Sequence, residues 1–371
     1  MAILLKPFLH DRFLHLLVVL GAVLACFAPF KLHQLPQAVD WNTIITLCGL
    51  LMLTKGIEAS GYFEVLGRRL IHRFQHERTL ALFMVAGAAL LSTFLTNDVA
   101  LFILVPLTLT LRKFSSLPIS RLIIFEALAV NAGSLLTPIG NPQNILLWSH
   151  GEASFGGFIL QMLPLALLLT GSLLLLTWFS FSKKKIQRHA EDQVNGWQRR
   201  LLFSALALYV LFVLALELKL AIWGLLLVLV AFLFLARRIL LTIDWSLLAV
   251  FIAMFIDVFL ITRLPVLQAP LHHISQLGEG GTYLLAMGLS QVISNVPATI
   301  LLLNTLPAST LFAWAVNIGG FGLLPGSLAN LIALRMAKDR RIWWRFHLFS
   351  VPMLLWSALL GWGLFLLINA I

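Results

Sequence analysis

The sequence predicts an all-α polytopic membrane protein made of inverted-topology repeats. Each repeat carries a re-entrant hairpin and a broken transmembrane helix, giving about nine full spans plus two hairpins. Three observations lead there. Of the 371 residues, 60% are hydrophobic and only 11% are charged. Uncharged apolar runs recur along the whole chain, including 157–181 and 348–371, and a bilayer core needs about 20 such residues per helix. Polar strings in the first half also reappear, in the same order, in the second.

A net charge of +11 would suggest nucleic acid as the partner of a soluble protein, but here the basic residues are confined to short loops. Lys6 and Arg12 precede the first span, and Arg68, Arg69, Arg73 and Arg78 follow the second. Arg112, Lys113 and Arg121 form a third group, and a fourth runs from Lys183 to Arg200. Arg237 and Arg238 make a fifth, and Arg335 to Arg345 a sixth. The positive-inside rule makes these groups cytoplasmic and places 22 of the 26 Lys and Arg there. Lys31, Lys219 and Arg263 fall outside, and Lys55 is left within a span. The N-terminus is then cytoplasmic, the C-terminus lies on the opposite face, the partner surface is the lipid bilayer, and no nucleic acid is expected.

Reading apolar runs against these loops gives spans near 13–30, 41–57, 119–150, 157–181, 201–217, 220–236, 245–262, 308–337 and 347–368. Residues 79–111 and 281–306 are apolar, centrally interrupted by polar residues, and flanked by loops of one side, so each reads as a re-entrant hairpin. The first opens to the cytoplasm, between Arg78 and Arg112, and the second opens to the other face.

The duplication explains the opposed hairpins. AVNAGSLLTPIGNPQNI (129–145) aligns without gaps on AVNIGGFGLLPGSLANL (315–331), pairing Asn131 with Asn317, Gly133 with Gly319, Gly140 with Gly326 and Asn144 with Asn330. STFLTNDVA (92–100) lies against SQVISNVPA (290–298), pairing Asn97 with Asn295, and Asp40-Trp41 pairs with Asp244-Trp245. The expected organisation is an N-terminal repeat over 1–182, a basic loop and extra linking helix over 183–219, and an inverted C-terminal repeat over 220–371. Each repeat crosses an even number of times, so the helix at 201–217 reverses the second copy, as in secondary transporters.

Both repeats break a helix at mid-membrane. In GSLLTPIGNPQN (133–144), Pro138 and Pro142 lack N–H donors and the glycines admit unusual dihedrals, and GGFGLLPGSLAN (319–330) repeats the pattern around Pro325. Non-helical backbone at that depth is tolerated only where it is buried or lines a wet cavity. Half-helix N-termini attract anions, and unwound carbonyls suit Na+ or a proton-carrying water. The expected binding residues are Thr96, Asn97 and Asp98 at the first tip and Ser134, Thr137, Gly140, Asn141 and Asn144 in the first break. Ser294, Asn295 and Thr299 at the second tip and Gly326, Ser327 and Asn330 in the second break complete the set. The plainer alternative is that the prolines and glycines only let helices pack.

A hairpin followed by a G-S-x-x-T-P-I-G-x-P-x-N break, repeated in inverted form, resembles the ion transporter superfamily, which includes sodium-dicarboxylate symporters, arsenite permeases and sodium-proton antiporters. Asn97-Asp98 looks most like the arsenite-permease and sodium-proton-antiporter branch, and the strings at 92–108 and 131–144 are similar to predicted anion permeases of bacterial inner membranes. In the dicarboxylate branch both tips carry Ser-Asn-Thr, which binds Na+ and the substrate carboxylate. This chain departs from that with Thr96-Asn97-Asp98 and Ser294-Asn295-Val296, so the resemblance carries Asn97 and Asn295 across, with Thr96 and Ser294, but not the two-sodium scheme. It further implies a bacterial inner membrane location and a homodimer.

Four ionisable residues stand in apolar helices and are candidates for coupling: Asp98, Glu126, Asp257 and Lys55. Asp98 reads either as a helix N-cap or as a proton or cation site. Glu126 is either a proton carrier or a partner of Arg121. Asp257 answers Lys55, unless Glu58, three residues along, satisfies that lysine locally. Cys26 and Cys48 read as small core residues with no disulfide, and the histidines show no metal-ligand spacing. No catalytic motif appears, so no enzyme and no resident cofactor or metal is expected beyond a transient coupling Na+ or H+.

The reading that follows is a secondary active transporter of a small inorganic or organic anion or oxyanion, coupled to H+ or Na+, whose hairpin-containing part moves against a scaffold. An ionised Asp98 would repel such an anion by about 4 kcal/mol at 4 Å and an effective dielectric of 20, and a co-transported proton removes the conflict. The alternative is a sodium-proton antiporter or an arsenite-type efflux permease.

Overall fold

The computed structural model describes residues 8–9, 11–189, 196–266, 274 and 277–370. Lys6 of the first basic group lies outside them. The described residues are helical with no β-strand, only two isolated bridges. The helices are α1 (Arg12–Ala25), α2 (Trp41–Ala59), α3 (Tyr62–Arg73), α4 (Glu77–Phe94), α5 (Asn97–Phe114), α6 (Ile119–Ser134), α7 (Pro142–His150) and α8 (Phe155–Ser180). They continue as α9 (Arg199–Glu217), α10 (Ala221–Ala236), α11 (Trp245–Thr262), α12 (Glu279–Ile293), α13 (Asn295–Leu303), α14 (Thr310–Ile318), α15 (Leu328–Met336) and α16 (Ile342–Ala370).

Two compact units form, each from both halves of the chain: Met1–Val65 with Val194–His273, and Leu66–Gln193 with Ile274–Ile371. In the first unit, α2 packs on α9 and α10, and α1 packs on α11. Asp40 and Asp244 cap α2 and α11, accepting from Thr43 N and Leu247 N at 3.2 and 3.1 Å. The Trp41 and Trp245 indoles each donate to a carbonyl five residues back, that of Pro36 at 2.8 Å and that of Leu240 at 3.1 Å. The matched Asp-Trp pairs therefore do the same local job.

Lys55 is satisfied within one helical turn, its Nζ 2.6 Å from Glu58 Oε2. The ion pair with Asp257 does not form, because the i,i+3 partner reaches the ammonium without ordering a second helix. Asp257 is instead buried at 4% exposure, with Oδ2 unbonded. Its Oδ1 lies so near Gly21 of α1 that a Cβ there would come within 2.5 Å.

In the second unit, α4 and α5 pack on each other and on α6, and α12 and α13 pair next to α14. The second arms cross over to the opposite break: α5 packs on α15 and α13 packs on α7. Residues 182–189 run extended along the open end of the first hairpin. Glu77 N and Arg78 N donate to the carbonyls of Lys184 and Ser182, and His189 N donates to that of Phe114.

Among the described residues, five helices are long and apolar enough to cross a membrane: α4, α8, α11, α16 and, as Arg199–Leu216, most of α9. A sixth is α2 with α3, which bend by 68° where Gly61 takes φ +81. α1 and α10 are shorter apolar helices, and each of the two segments expected to be a broken span is divided into two helices, α6 with α7 and α14 with α15. The first hairpin is longer than the sequence reading required. Its arms have 18 residues each, about 27 Å of helix, whereas those of the second have 15 and 9.

Candidate functional site

The first tip is Leu95-Thr96, both extended. Thr96 caps α5, its hydroxyl accepting from Val99 N at 3.4 Å, so the N-cap is not Asp98. A threonine supplies that acceptor without desolvating a charge. Asp98 occupies the first turn, where the helix dipole favours an acid, with Oδ1 buried and unbonded. Asn97 is buried; its Oδ1 accepts from Asp98 N at 2.9 Å, and its own N–H donates to Gly140 O at 3.0 Å, tying the tip to the first break.

That break runs from the end of α6 to Asn141, which caps α7 by accepting from Asn144 N at 2.9 Å, with Pro142 at the first helical position, where its missing N–H costs nothing. The freed carbonyls are collected by one side chain. Asn144 Nδ2 lies 3.3, 3.0 and 3.0 Å from the carbonyls of Ser134, Leu135 and Thr137. Thr137 Oγ1 donates to Thr93 O at 2.7 Å, locking the break to the first arm of the hairpin. Gly133 is required by close approach, since a Cβ there would strike Ala89 O and come 2.6 Å from Ser92 Oγ.

The second half repeats these contacts with different residues. A Cβ on Gly319 would lie 2.6 Å from Ser290 Oγ. Gln291 Nε2 donates to Gly319 O at 2.7 Å, as Thr93 Oγ1 does to Gly133 O at 3.2 Å. Leu323 N donates to Gln291 Oε1 at 2.7 Å, and Asn330 Nδ2 donates to Gly320 O at 2.9 Å. The second tip is a single residue, Ser294, at φ 72 and ψ 156, a region that side chains avoid. Thr299 Oγ1 donates to Asn295 O at 2.7 Å, and Asn295 Nδ2 lies beside Gly320, 3.4 Å from where a Cβ would stand. Gly326 is equally tight, 2.6 Å from Gly319 O by the same measure, and Ser327 O accepts from Asn330 N at 3.1 Å.

Between the breaks the amides cross. Asn131 Nδ2 donates to Asn330 Oδ1 at 2.8 Å, and Asn317 Nδ2 donates to Asn144 Oδ1 at 2.7 Å. Each donor also reaches the carbonyl four residues back, Ala127 O at 3.1 Å and Ala313 O at 2.8 Å. Asn141 Nδ2 bonds both Ser134 Oγ and Asn317 Oδ1, and Gln143 Nε2 reaches the latter at 3.3 Å while its own Oε1 is buried and unbonded. Uncharged amides suit this place, because they satisfy unwound backbone without carrying a net charge into a low-dielectric interior.

Glu126 does not join the network. It is fully buried on α6, with Oε1 accepting from Thr108 Oγ1 at 2.5 Å and Oε2 unbonded. The pairing with Arg121 is absent, because that guanidinium turns away to Ser180 O at 2.7 Å and the Phe181 ring. Lys55 and Asp257 belong to the other compact unit. Sequence reading left out Asn131 and Asn317 as site residues, although the repeat alignment had already paired them. It also missed Thr93, Gln291 and Thr108, which act through distant backbone or side chains, and His347, whose Nε2 accepts from Leu324 N at 3.3 Å in the second break.

Many apolar helices enclosing polar groups gathered at broken ones define a membrane transporter rather than an enzyme. The chain belongs to the citrate transporter (CitMHS) family, whose model matches residues 1–315. It is 61% identical over 368 residues to the inner membrane protein YbiR of Escherichia coli K12, covering 98% of this chain and 99% of that one. An uncharacterized transporter of Methanocaldococcus jannaschii is 30% identical over 340 residues, 88% of this chain and 90% of its own. The silicon efflux transporter LSI3 of Oryza sativa subsp. japonica is 32% identical over 149 residues, 39% of this chain and 31% of its own.

Proposed function

We propose that the chain is a secondary active transporter of a small anion or oxyanion, coupled to H+ or Na+, residing like YbiR in a bacterial inner membrane with its N-terminus cytoplasmic. The observation that carries this reading is the crossed pair Asn131–Asn330 and Asn317–Asn144. It supports an inverted pair of repeats whose breaks meet, with α5, α7, α13 and α15 all beginning there and their partly positive N-termini directed at one anion. The hairpins act as re-entrant gates, and the unit that holds them moves against the other as an elevator. That division is compatible with sequential repeats over 1–182 and 220–371, because each unit draws on both. Asp98, with a buried unbonded oxygen at a tip and Val296 in the matched position, carries the coupling proton or cation. Uptake of labelled oxyanions and carboxylates into proteoliposomes under imposed H+ or Na+ gradients tests this. Anion uptake lost in Asp98→Asn is the expected result.

A second reading, efflux of a cation or a neutral hydroxide by an antiporter, is favoured by that same acid at the anion's place and by a relative named a silicon efflux transporter. Sodium-driven proton movement with no anion present would establish it over the first.

A further inference from the structure

A cavity of about 690 Å³ opens where α3 hands over to α4, at the base of the first hairpin. Its walls divide by chemistry. Leu70, Phe74 and Phe83 supply its apolar lining, with the two rings packed at 4.9 Å between centroids and Phe83 51% exposed. Arg73, Gln75, His76 and Thr79 supply the polar part, the Thr79 hydroxyl donating to His76 O at 2.9 Å. Neither the Arg73 guanidinium nor the His76 imidazole has a hydrogen bond or ion pair among the described residues. Glu77, the acid next in the chain, is committed elsewhere, its Oε1 accepting from Ser182 N at 3.1 Å. Lys185 faces His76 across an antiparallel bridge, and Lys183 and Lys184 beside it are exposed.

We propose that this cavity binds an anionic phospholipid, the phosphate held by Arg73 and His76 and the first carbons of the acyl chains lying on Phe74 and Phe83. Unpaired donors on Arg73 and His76 beside exposed aromatic surface match a ligand that is charged at one end and apolar at the other. A soluble anion would leave the rings uncovered, and a zwitterionic headgroup would bring its own cation against the arginine. The volume lies within the range of about 300 to 1,000 Å³ usual for ligand sites, and basic clusters at the end of a membrane helix favour anionic lipid by about 1 kcal/mol per charge. Because Arg73 ends α3 and His76 is the N-cap of α4, an occupied site ties α3 to the base of the hairpin.

The test is thermal unfolding of the purified full chain in detergent with added dioleoylphosphatidylglycerol, dioleoylphosphatidylcholine or glycerol 3-phosphate. The anionic lipid is expected to raise Tm saturably, with the other two inert; Arg73→Gln should weaken its effect by about fivefold, and adding His76→Gln should weaken it further. Thr79→Trp, which fills the cavity and keeps every charge, should abolish the response and serves if the double variant folds poorly. An equal response to phosphatidylcholine or to glycerol 3-phosphate would overturn the proposal. So would equal losses in Lys183→Gln with Lys184→Gln, which leave the cavity intact, or an undiminished response in Thr79→Trp.

Discussion

Asn131 on α6 donates to Asn330 on α15 across 2.8 Å, joining residues 199 positions apart at the point where both helices stop being continuous. Its counterpart, Asn317 to Asn144, spans 173. The central expectation concerns what these amides hold. Asn131→Ala leaves Asn330 Oδ1 buried without a donor and should cost about 1 to 3 kcal/mol. The double variant with Asn330→Ala should lose less than the two single losses added, as a denaturation cycle in detergent would measure. Strict additivity would mean that the two side chains do not act together.

At the first tip, cap and acid are separable. Thr96→Ala should destabilise by about 1 kcal/mol, the usual value of a helix cap. Asp98→Asn replaces a part-buried carboxylate whose Oδ1 is unbonded and should leave thermal stability level or raised while abolishing gradient-driven anion uptake.

Ser294 holds a backbone conformation suited to glycine. Ser294→Gly should stabilise the protein by about 1 kcal/mol through relief of strain, and a comparison of melting temperatures decides it. A transport defect alongside the gain would show that the hydroxyl, not the backbone, is what the tip keeps serine for.

In the other unit, Gly21→Ala should cost about 1 to 3 kcal/mol, since its Cβ would meet Asp257 Oδ1 at 2.5 Å. Asp257→Ala on the same background should recover most of the loss. Lys55→Gln should matter by less than about 1 kcal/mol, because its pair with Glu58 is partly exposed.

Ser120 Oγ donates to Asp339 Oδ2 at 2.6 Å in the turn before α16. That bond, together with Arg341 N and nearby Arg345 and Arg112, lowers the Asp339 pKa below its usual 3.8. A depressed carboxyl pKa favours the folded state above pH 3.8, and the benefit fades as pH falls through the lowered value. Ser120→Ala should therefore reduce Tm slightly at neutral pH and converge with wild type in acid.

Much of this was legible in the chain. Proline and glycine at 138, 140, 142 and 325 mark where helices unwind, because they alter the backbone whatever surrounds them. Gly133 and Gly319 matched each other and prove to face Ser92 and Ser290, themselves matched. What stayed hidden was the choice between partners. Glu126 had Arg121 five residues away yet bonds Thr108, since burial on α6 faces it toward α5. Asp257 had a plausible lysine and met a glycine, a contact that depends on how α1 packs on α11. Periodicity and spacing describe one helix at a time and carry no information about which face a distant helix covers.

The mixed parentage of the two compact units has a consequence for biosynthesis. At about 5 to 20 residues per second, the ribosome needs roughly 10 to 40 s after releasing Asn131 to produce the asparagine 199 positions later that accepts from it. Throughout that interval the first broken helix has been made but its amides have no permanent partners, in a solvent that offers none. A nascent chain of this kind must wait in the membrane with its polar centre provisionally satisfied by water or by its own first half, and it should be most vulnerable to quality-control proteolysis when truncated between the two breaks.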